Sequence, residues 1–413
     1  MHRRELLQGL GGGLAGSWMA GLIGARPAMA QAAKKGQKPR SCVVLWLNGG
    51  PSHLDTFDPK PGTKEGGPFK AIKTRTKGVE FSEHLPQLAA LTSQMAVVRG
   101  ASKEGNHQRA RYLLHTGYAP NPTVVHPALG GWVSALLAEK NSELPSFVSI
   151  GGPSESGGFL GVQHGPFVVP RVGSPQNVAY ARNVDAERFD RRMAALKAMD
   201  ADFVAATGDP QAHGRSEVVA QAVRLMRSPH LRAFDVSDEP EKIRKAYGDT
   251  DFGRGCLAAR RLVENGVRLV EVVLDGWDTH KDGFEKIKRL SSALDPAMAS
   301  LVSDLRDRKM LDSTLVVCVG EFGRTPRING DDGRDHHPQA WTALLAGGGV
   351  RGGVVHGQTD ATGTKTDKAV LVPDLFATIT STLGLDPERS FDTPSGRPIA
   401  ITDHGTPQRD LLL

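Results

Sequence analysis

The stretch that most constrains the fold spans residues 313–357, where two apolar runs flank a polar segment. The first run, residues 316–319, is β-branched and has the length of a buried strand. The second run, residues 341–346, is typical of the next strand. Because open α/β sheets place their sites at the carboxyl ends of strands, Glu321, which follows the first run, is expected at such an edge.

An acidic residue and two histidines directly precede the second apolar run. Three polar side chains before a strand need hydrogen-bond partners or water. One interpretation is a binding site shared with Glu321. The alternative is a solvated loop with helix-capping acids, which is the simpler reading of any one of these residues. The whole stretch favours a site. The three residues are Asp335, His336 and His337.

Composition limits the class of protein. A chain of 413 residues can bury a large core as one or two domains, and 48 glycines with 26 prolines indicate many loops. The formal net charge is +6 and falls to about +4 without residues 1–30, and no basic run is interleaved with aromatics. Nucleic acid is therefore not an expected partner. The three cysteines have no metal or disulfide spacing, so free buried thiols are expected.

The first 30 residues predict an export signal. Arg3 and Arg4 precede a glycine-rich apolar run, and an A-x-A pattern ends at Ala30. This pattern is typical of a twin-arginine signal peptide, so the export machinery is an expected partner and the periplasm or the outside of the cell the destination. Residues 31–40 are interpreted as a linker. A membrane anchor is the weaker alternative, because the run is short.

Polar residues also follow other predicted strands. The run at 41–47 leads into a glycine turn and then to Asp55 and Asp58, an arrangement typical of a site, although Asp58 with the proline after it could equally form a turn. The run at 267–274 leads to Asp278 and His280, which can face one ion in a non-helical loop or simply pair with each other. Both runs have the pattern of a strand that ends near a site.

A second segment of interest is residues 100–117. Asn106 is predicted to cap a helix that carries His107 and Arg111, and helix N-termini bind anions. The alternative is an ordinary amphipathic helix with its leucines inward.

The alternation of strands and helices predicts a three-layer α/β/α domain over residues 41–413 with a largely parallel central sheet. The strands near 42–47, 95–98, 267–274, 314–319 and 341–346 should lie in one sheet. Residues 186–265, rich in mixed-charge helices, are predicted to be a helical insertion.

Several motifs together resemble a known family: LNGGPSHLDTFDPKPG, DGWDTH, GEFGRTPRI, GRDHHP and ALLAGGGVRGGVVHGQTD. They resemble the exported bacterial family of domain of unknown function 1501, across nearly the whole mature chain. That family is similar to the alkaline phosphatase and sulfatase superfamily. The resemblance implies an α/β/α fold, one or two metals, and action on phosphate or sulfate esters.

The resemblance carries over unevenly to individual residues. Asp278 and His280 match the late metal-binding Asp and His of the superfamily, whereas Glu321 stands where an Asp-His pair is usual. His107 falls at about the position of the sulfatase cysteine nucleophile, and Arg111 matches the arginine four residues on. The formylglycine motif is absent, so Ser102 or a metal-bound water would have to act as the nucleophile. The resemblance also implies a metal-binding acid directly after the first strand; that place is Asn48, with Asp55 further along.

Three hypotheses follow for the activity. The first is a metal-dependent ester hydrolase that uses Asp278, His280, Glu321 and a histidine of the 336–337 pair as ligands. Arg111 or Arg324 would then bind the anionic group of the substrate. Zn or Mn suits such a set, and Mg or Ca suits oxygen ligands alone. The second is a degenerate member that binds an anionic sugar or polymer without turnover, and the third is a structural protein outside the cytoplasm.

Overall fold

The computed structural model describes residues 41–139, 141–173, 175–208 and 210–413, and of residues 210 and 211 it describes the backbone alone. The predicted signal peptide and linker lie outside these residues. Within the described ranges, no helix has the length and apolar character needed to cross a membrane. The cysteines at 42, 256 and 318 are buried and free, as predicted.

Helices and strands alternate along the chain. The α-helices of the described residues are α1 Pro86–Leu91, α2 His107–Thr116, α3 Leu129–Leu137, α4 Ala186–Thr207, α5 Pro210–Arg227, α6 Glu241–Ala246, α7 Asp251–Glu264, α8 Gly283–Asp307 and α9 Val372–Thr382. The strands are β1 Ser41–Asn48, β2 Ala71–Lys73, β3 Glu80–Ser82, β4 Met95–Ala101, β5 Phe147–Ile150, β6 Phe167–Val169, β7 Leu269–Asp275, β8 Thr314–Val319, β9 Gly323–Arg324, β10 His336–His337, β11 Trp341–Gly347, β12 Val354–His356, β13 Gln358–Thr359, β14 Thr366–Asp367, β15 Val370–Leu371, β16 Ser390–Asp392 and β17 Pro398–Ala400.

One nine-stranded sheet forms the centre of the molecule, in the order β12-β4-β11-β8-β1-β7-β5-β6, with β15 also paired to β4. The five strands predicted to share a sheet all belong to it, so that prediction is confirmed. In register, Val43 of β1 lies between Val270 of β7 and Val316 of β8, with all three strands parallel. The largely parallel sheet is therefore confirmed as well.

Strand β11 runs in the opposite direction to the strands on either side of it. It pairs antiparallel with both β4 and β8. An antiparallel strand begins at the edge where its parallel neighbours end. His336 and His337, which precede β11, are thus brought to the same edge as the residues that follow β8.

Both faces of the sheet are covered by helices. Along β1, the side chains of Val43, Leu45 and Leu47 enter one buried cluster, and those of Cys42, Val44 and Trp46 enter another. This alternation follows from the two-residue period of a strand. The first cluster includes buried residues of α1, α7 and α8, and the second includes those of α2, α3 and α9. The three-layer architecture is confirmed.

The segment predicted as a helical insertion contains two kinds of helix. Most residues of α4 are exposed, whereas α7 has ten buried residues, seven of which, Leu257 and Leu262 among them, belong to the cluster beneath the sheet. Helix α7 therefore packs as part of the three layers. A boundary for an inserted unit remains a prediction.

Candidate metal centre

A cluster of polar side chains lies at the carboxyl edge of the sheet, where loops from four strands meet. Residues after β7 contribute Asp278 and His280, and residues after β8 contribute Glu321 and Arg324. The loop after β4 leads into α2, and the segment before β11 contributes His336. Four separate parts of the chain therefore build one site, at the position expected for an open α/β sheet.

Helix α2 brings a histidine that the sequence did not suggest as a ligand. Asn106 caps this helix by accepting a hydrogen bond from the Arg109 amide at 3.2 Å, and His107 is the first helical residue. Gly117 ends the helix at a φ of 74°. The cap thus fixes His107 at the start of the helix, beside the loop that carries Asp278.

Three of these side chains form a group with the donor atoms of a metal site. One ligand atom each of His107, Asp278 and His336 lies within 4.8 Å of the other two. Asp278 Oδ1 is 3.4 Å from His107 Nε2 and 3.4 Å from His336 Nε2. Two ligands at about 2.1 Å from a tetrahedral ion are themselves about 3.4 Å apart, so these separations suit a first coordination shell.

The hydrogen bonds around His336 determine which of its nitrogens is free. Its Nδ1 is 2.8 Å from the Gly105 carbonyl oxygen, which only accepts, so Nδ1 carries the proton. In the neutral ring, Nε2 then presents a lone pair to Asp278. Burial lowers the pKa of His336, which favours this neutral form.

A fourth candidate ligand, His280, has a similar arrangement. Its Nδ1 lies 2.9 Å from the carboxylate of Asp335, which likewise leaves Nε2 as a lone pair in the neutral ring. This Nε2 is 3.0 Å from His336 Nε2 and 3.1 Å from Asp278 Oδ1. Arg324 Nη1 donates to this Nε2 at 3.3 Å and so relieves part of the repulsion. The lone pair of His336 Nε2 still faces His280 Nε2 and the Asp278 carboxylate, and a cation or a proton among them would remove that repulsion.

His107 offers a further observation in favour of a cation. Its Nε2 is buried and has no hydrogen-bond partner among the described residues, which is costly for a polar atom. Its Nδ1 lies 3.7 Å from Glu321 Oε1, and interaction with this carboxylate raises the pKa of His107. The residues present therefore fit a divalent metal with nitrogen and oxygen ligands.

Arg324 holds the loops of the site together. Its side chain is fully buried and donates to the carbonyl oxygens of Gly49, Gly50 at 2.9 Å, Trp277 at 3.3 Å and Arg334 at 3.2 Å. It also donates to Asp278 Oδ1 at 2.7 Å. These contacts occupy the guanidinium, so its predicted role as a direct ligand for a substrate anion is replaced by one of structure and charge.

The pKa of Asp278 reflects this neighbour. Burial alone would raise the pKa, but the hydrogen bond and charge of Arg324, with smaller contributions from His107 and His280, lower it to about 2. The carboxylate is therefore ionised at any pH near neutrality and available as a metal ligand.

Glu321 is oriented by the turn after β1. The Gly49 amide donates to both carboxylate oxygens, each at 2.9 Å, and Glu321 is 1% exposed. Gly49 has a φ of 115°, and a Cβ there would lie 2.3 Å from the Asp278 amide nitrogen. Only glycine allows the turn to approach the Asp278 loop so closely.

Four residues predicted for the site lie apart from the cluster, each tied elsewhere. Asp55 is fully buried and accepts from Arg334 Nε at 2.7 Å and Nη2 at 3.1 Å, so an arginine already neutralises it. The other three also have partners of their own: His337 Nε2 with Thr364 O at 2.6 Å, Ser102 Oγ with Glu104 O at 3.0 Å, and Arg111 with Pro153 O at 2.8 Å and Glu155 Oε1 at 3.2 Å.

The comparisons with known proteins identify a family. A family model described as "Protein of unknown function (DUF1501)" matches residues 39–412. No curated protein matches the chain.

Solved structures with a distant likeness include a sulfatase, a phosphonate monoester hydrolase and a periplasmic domain. The PsFucS1 sulfatase from Pseudoalteromonas sp. is 16% identical, with 91% of this chain and 74% of that chain covered and a TM-score of 0.39. The phosphonate monoester hydrolase SpPMH from Silicibacter pomeroyi is 12% identical, with 91% and 76% covered and a TM-score of 0.37. The C-terminal periplasmic domain of EcEptC from Escherichia coli, in a complex with Zn, is 13% identical, with 92% and 93% covered and a TM-score of 0.35.

Proposed function

We propose that this chain, which belongs to the family described as protein of unknown function (DUF1501), is an exported, metal-dependent hydrolase of phosphate or sulfate esters. The observation that carries the proposal is the convergence of His107, Asp278 and His336, whose ligand atoms lie within 4.8 Å of one another. They meet at the sheet edge where α/β enzymes have their sites.

The metal would be held by these three residues, with His280 as a fourth candidate. Two imidazoles and a carboxylate suit Zn or Mn better than Mg or Ca, which prefer oxygen ligands. A bound divalent ion supplies Lewis acidity that stabilises the negative charge developing on an ester during hydrolysis.

The chain's own side chains prepare the site for an anion. Arg324 adds a permanent positive charge next to Asp278, which attracts an ester anion although its hydrogen bonds are already taken. Asp335 accepts from His280 Nδ1, and Gly105 O accepts from His336 Nδ1, so both rings are held with Nε2 toward the cluster. Glu321, near His107 Nδ1, can hold the proton on that atom.

The second candidate is a metal-binding member that holds an anionic sugar or polymer without turnover. The hydrogen bond of Ser102 favours this candidate. The buried Ser102 hydroxyl donates to Glu104 O and does not contact the His107 cluster. With that hydroxyl engaged, hydrolysis would require water as the nucleophile, activated within the site.

A direct assay separates the two candidates. The purified full chain, supplied with Zn or Mn, is assayed on p-nitrophenyl phosphate and p-nitrophenyl sulfate. A hydrolase should lose at least about 100-fold in kcat/KM in Asp278→Asn, while Asp312→Asn, an exposed acid elsewhere, keeps its activity. Metal binding with no turnover of either ester would favour the binding protein, and equal rates in the two variants would refute this site.

A further inference from the structure

A separate cavity of about 520 Å³ lies between the β2–β3 ribbon and the end of β4. Its lining includes Asp58, Lys60 and Arg99, together with the turn of the ribbon, and it contains none of the candidate metal ligands. Its volume lies within the range of about 300–1,000 Å³ that is typical of small-molecule pockets. Successive side chains of a strand point to opposite faces of the sheet. Arg99 of β4 therefore lies on the same face as Val97, which packs in the cluster that includes α1 and α8, and on the opposite face from Val98.

Two cations share one carboxylate at the inner end of this cavity. Asp58 Oδ1 lies 3.0 Å from Lys60 Nζ and 2.7 Å from Arg99 Nη2, and Asp58 is 2% exposed. The side chains of Lys60 and Arg99 are only 15% and 11% exposed. One carboxylate neutralises one of the two charges, so a positive charge remains in a largely buried place, where it is costly without a counter-ion.

The rim of the cavity adds two further lysines. Lys73 ends β2, and Lys77 lies in the turn with Gly78, whose φ is 77°. Both lysines are exposed, and neither forms an ion pair within the described part of the chain. Glu80, opposite Lys73 in the ribbon, is the one acid of the lining besides Asp58. Four cations thus face two acids around one cavity.

We propose that this cavity binds a tetrahedral oxyanion, either a sulfate or a phosphate group. Arginine and lysine are the side chains that bind such groups through charge-assisted hydrogen bonds. The Lys60 ammonium donates to Asp58 and to Thr359 Oγ1 at 2.7 Å, which leaves one of its three donors for a ligand. The site is independent of the proposed hydrolase activity, because it shares no residue with the His107 cluster.

The test compares anions on two matched double variants. Lys73→Glu with Lys77→Glu reverses the charge of the rim, and Lys242→Glu with Lys288→Glu makes the same charge change at exposed lysines elsewhere. Dissociation constants for sodium sulfate, sodium phosphate and sodium acetate are measured by calorimetry on the full chain at constant ionic strength. All four lysine substitutions are made in the otherwise unchanged chain and measured with a chelator and no added metal, so that anion binding to a bound metal does not contribute.

The expected result is binding of sulfate or phosphate that weakens at least about tenfold in the rim variant and stays within about twofold in the control. Preference between sulfate and phosphate indicates which ester the natural ligand carries. Equal weakening in both variants, or acetate bound as tightly as the tetrahedral anions, would overturn the proposal. Crystals soaked in selenate give an independent readout, with anomalous density expected beside Lys60 and Arg99 and density only at other places contradicting the assignment.

Discussion

His115 Nε2 lies 3.1 Å from Glu271 Oε2, and this buried contact joins α2 to β7 on the face opposite α7 and α8. His115 Nδ1 is 2.8 Å from the Arg111 carbonyl oxygen. A carbonyl and a carboxylate both accept hydrogen bonds, so the ring that donates to both carries two protons. The pair thus links the helix that begins with His107 to the strand that leads to Asp278.

This pair predicts a pH dependence of stability. Burial lowers the pKa of His115, but the charge and hydrogen bond of Glu271 outweigh it, so the pKa is raised above the ordinary 6.5. A raised pKa in the folded state gives stability that is present below the unfolded pKa and is lost as pH rises through the folded pKa. The free energy of unfolding should therefore be about 3 kcal/mol lower in His115→Gln than in wild type near pH 5.5, with a smaller difference at pH 9.

Urea unfolding at several pH values measures this difference. Glu271→Gln should show the same trend, and His404→Gln, an exposed histidine in the C-terminal segment, should show none. A difference between His115→Gln and wild type that is constant from pH 5.5 to 9 would mean that the pair does not hold an extra proton.

Asp55 should be a structural residue and not a metal ligand. Its two hydrogen bonds from Arg334 are buried, and breaking such a pair costs about 3–5 kcal/mol. Asp55→Asn should lower the free energy of unfolding by that amount but leave the metal dissociation constant of the folded protein unchanged. Denaturant unfolding and calorimetry check the two quantities, with Asp312→Asn as the exposed control. A large loss of metal affinity would restore Asp55 to the ligand set.

Arg324 should be needed for the shape of the site. Lysine at this position offers a single ammonium in place of the planar group that reaches four backbone carbonyl oxygens and Asp278. Arg324→Lys should destabilise the protein by about 3 kcal/mol, whereas Arg327→Lys, at an exposed arginine three residues on, should change little. Equal melting temperatures for the two variants would show that the loops are held by other contacts.

Export remains a prediction from the sequence. Replacing Arg3 and Arg4 together by lysine should leave the uncleaved precursor in the cytoplasm, because the twin-arginine pair is the recognised feature of such signals. Cell fractionation with mass spectrometry of the mature N-terminus checks this and the predicted cleavage after Ala30. Unaltered export of the double variant would reject the twin-arginine interpretation.

Much of the fold could be predicted because its strands are continuous apolar runs. SCVVLWL and TLVVCV are buried on both faces, and such runs indicate a covered, largely parallel sheet. The direction of β11 could not be predicted in this way, because a run that is apolar on both faces gives no information on direction. Its reversal depends on pairing with β4 and β8, which are far from it in sequence or joined by a long loop.

The site was predictable where a residue directly follows or precedes a strand. Asp278, His280 and His336 were found by that rule, and the structure brings them together. The roles of Asp55 and His107 could not be predicted by that rule, because each role depends on a partner that is distant in sequence. Arg334, which neutralises Asp55, is 279 residues away, and the position of His107 depends on the docking of α2. A capped helix after a strand was the one local signal for His107.

The most direct test of the metal centre uses the two consecutive histidines of β10. His336 faces Asp278, whereas His337 points to Thr364 O, because successive side chains of a strand alternate. Zn or Mn is titrated into metal-free full chain by calorimetry for wild type, His336→Gln and His337→Gln. We expect one bound metal in wild type, a loss of at least about 100-fold in affinity in His336→Gln, and little change in His337→Gln. Equal affinities in all three proteins, or no binding to wild type, would contradict this expectation.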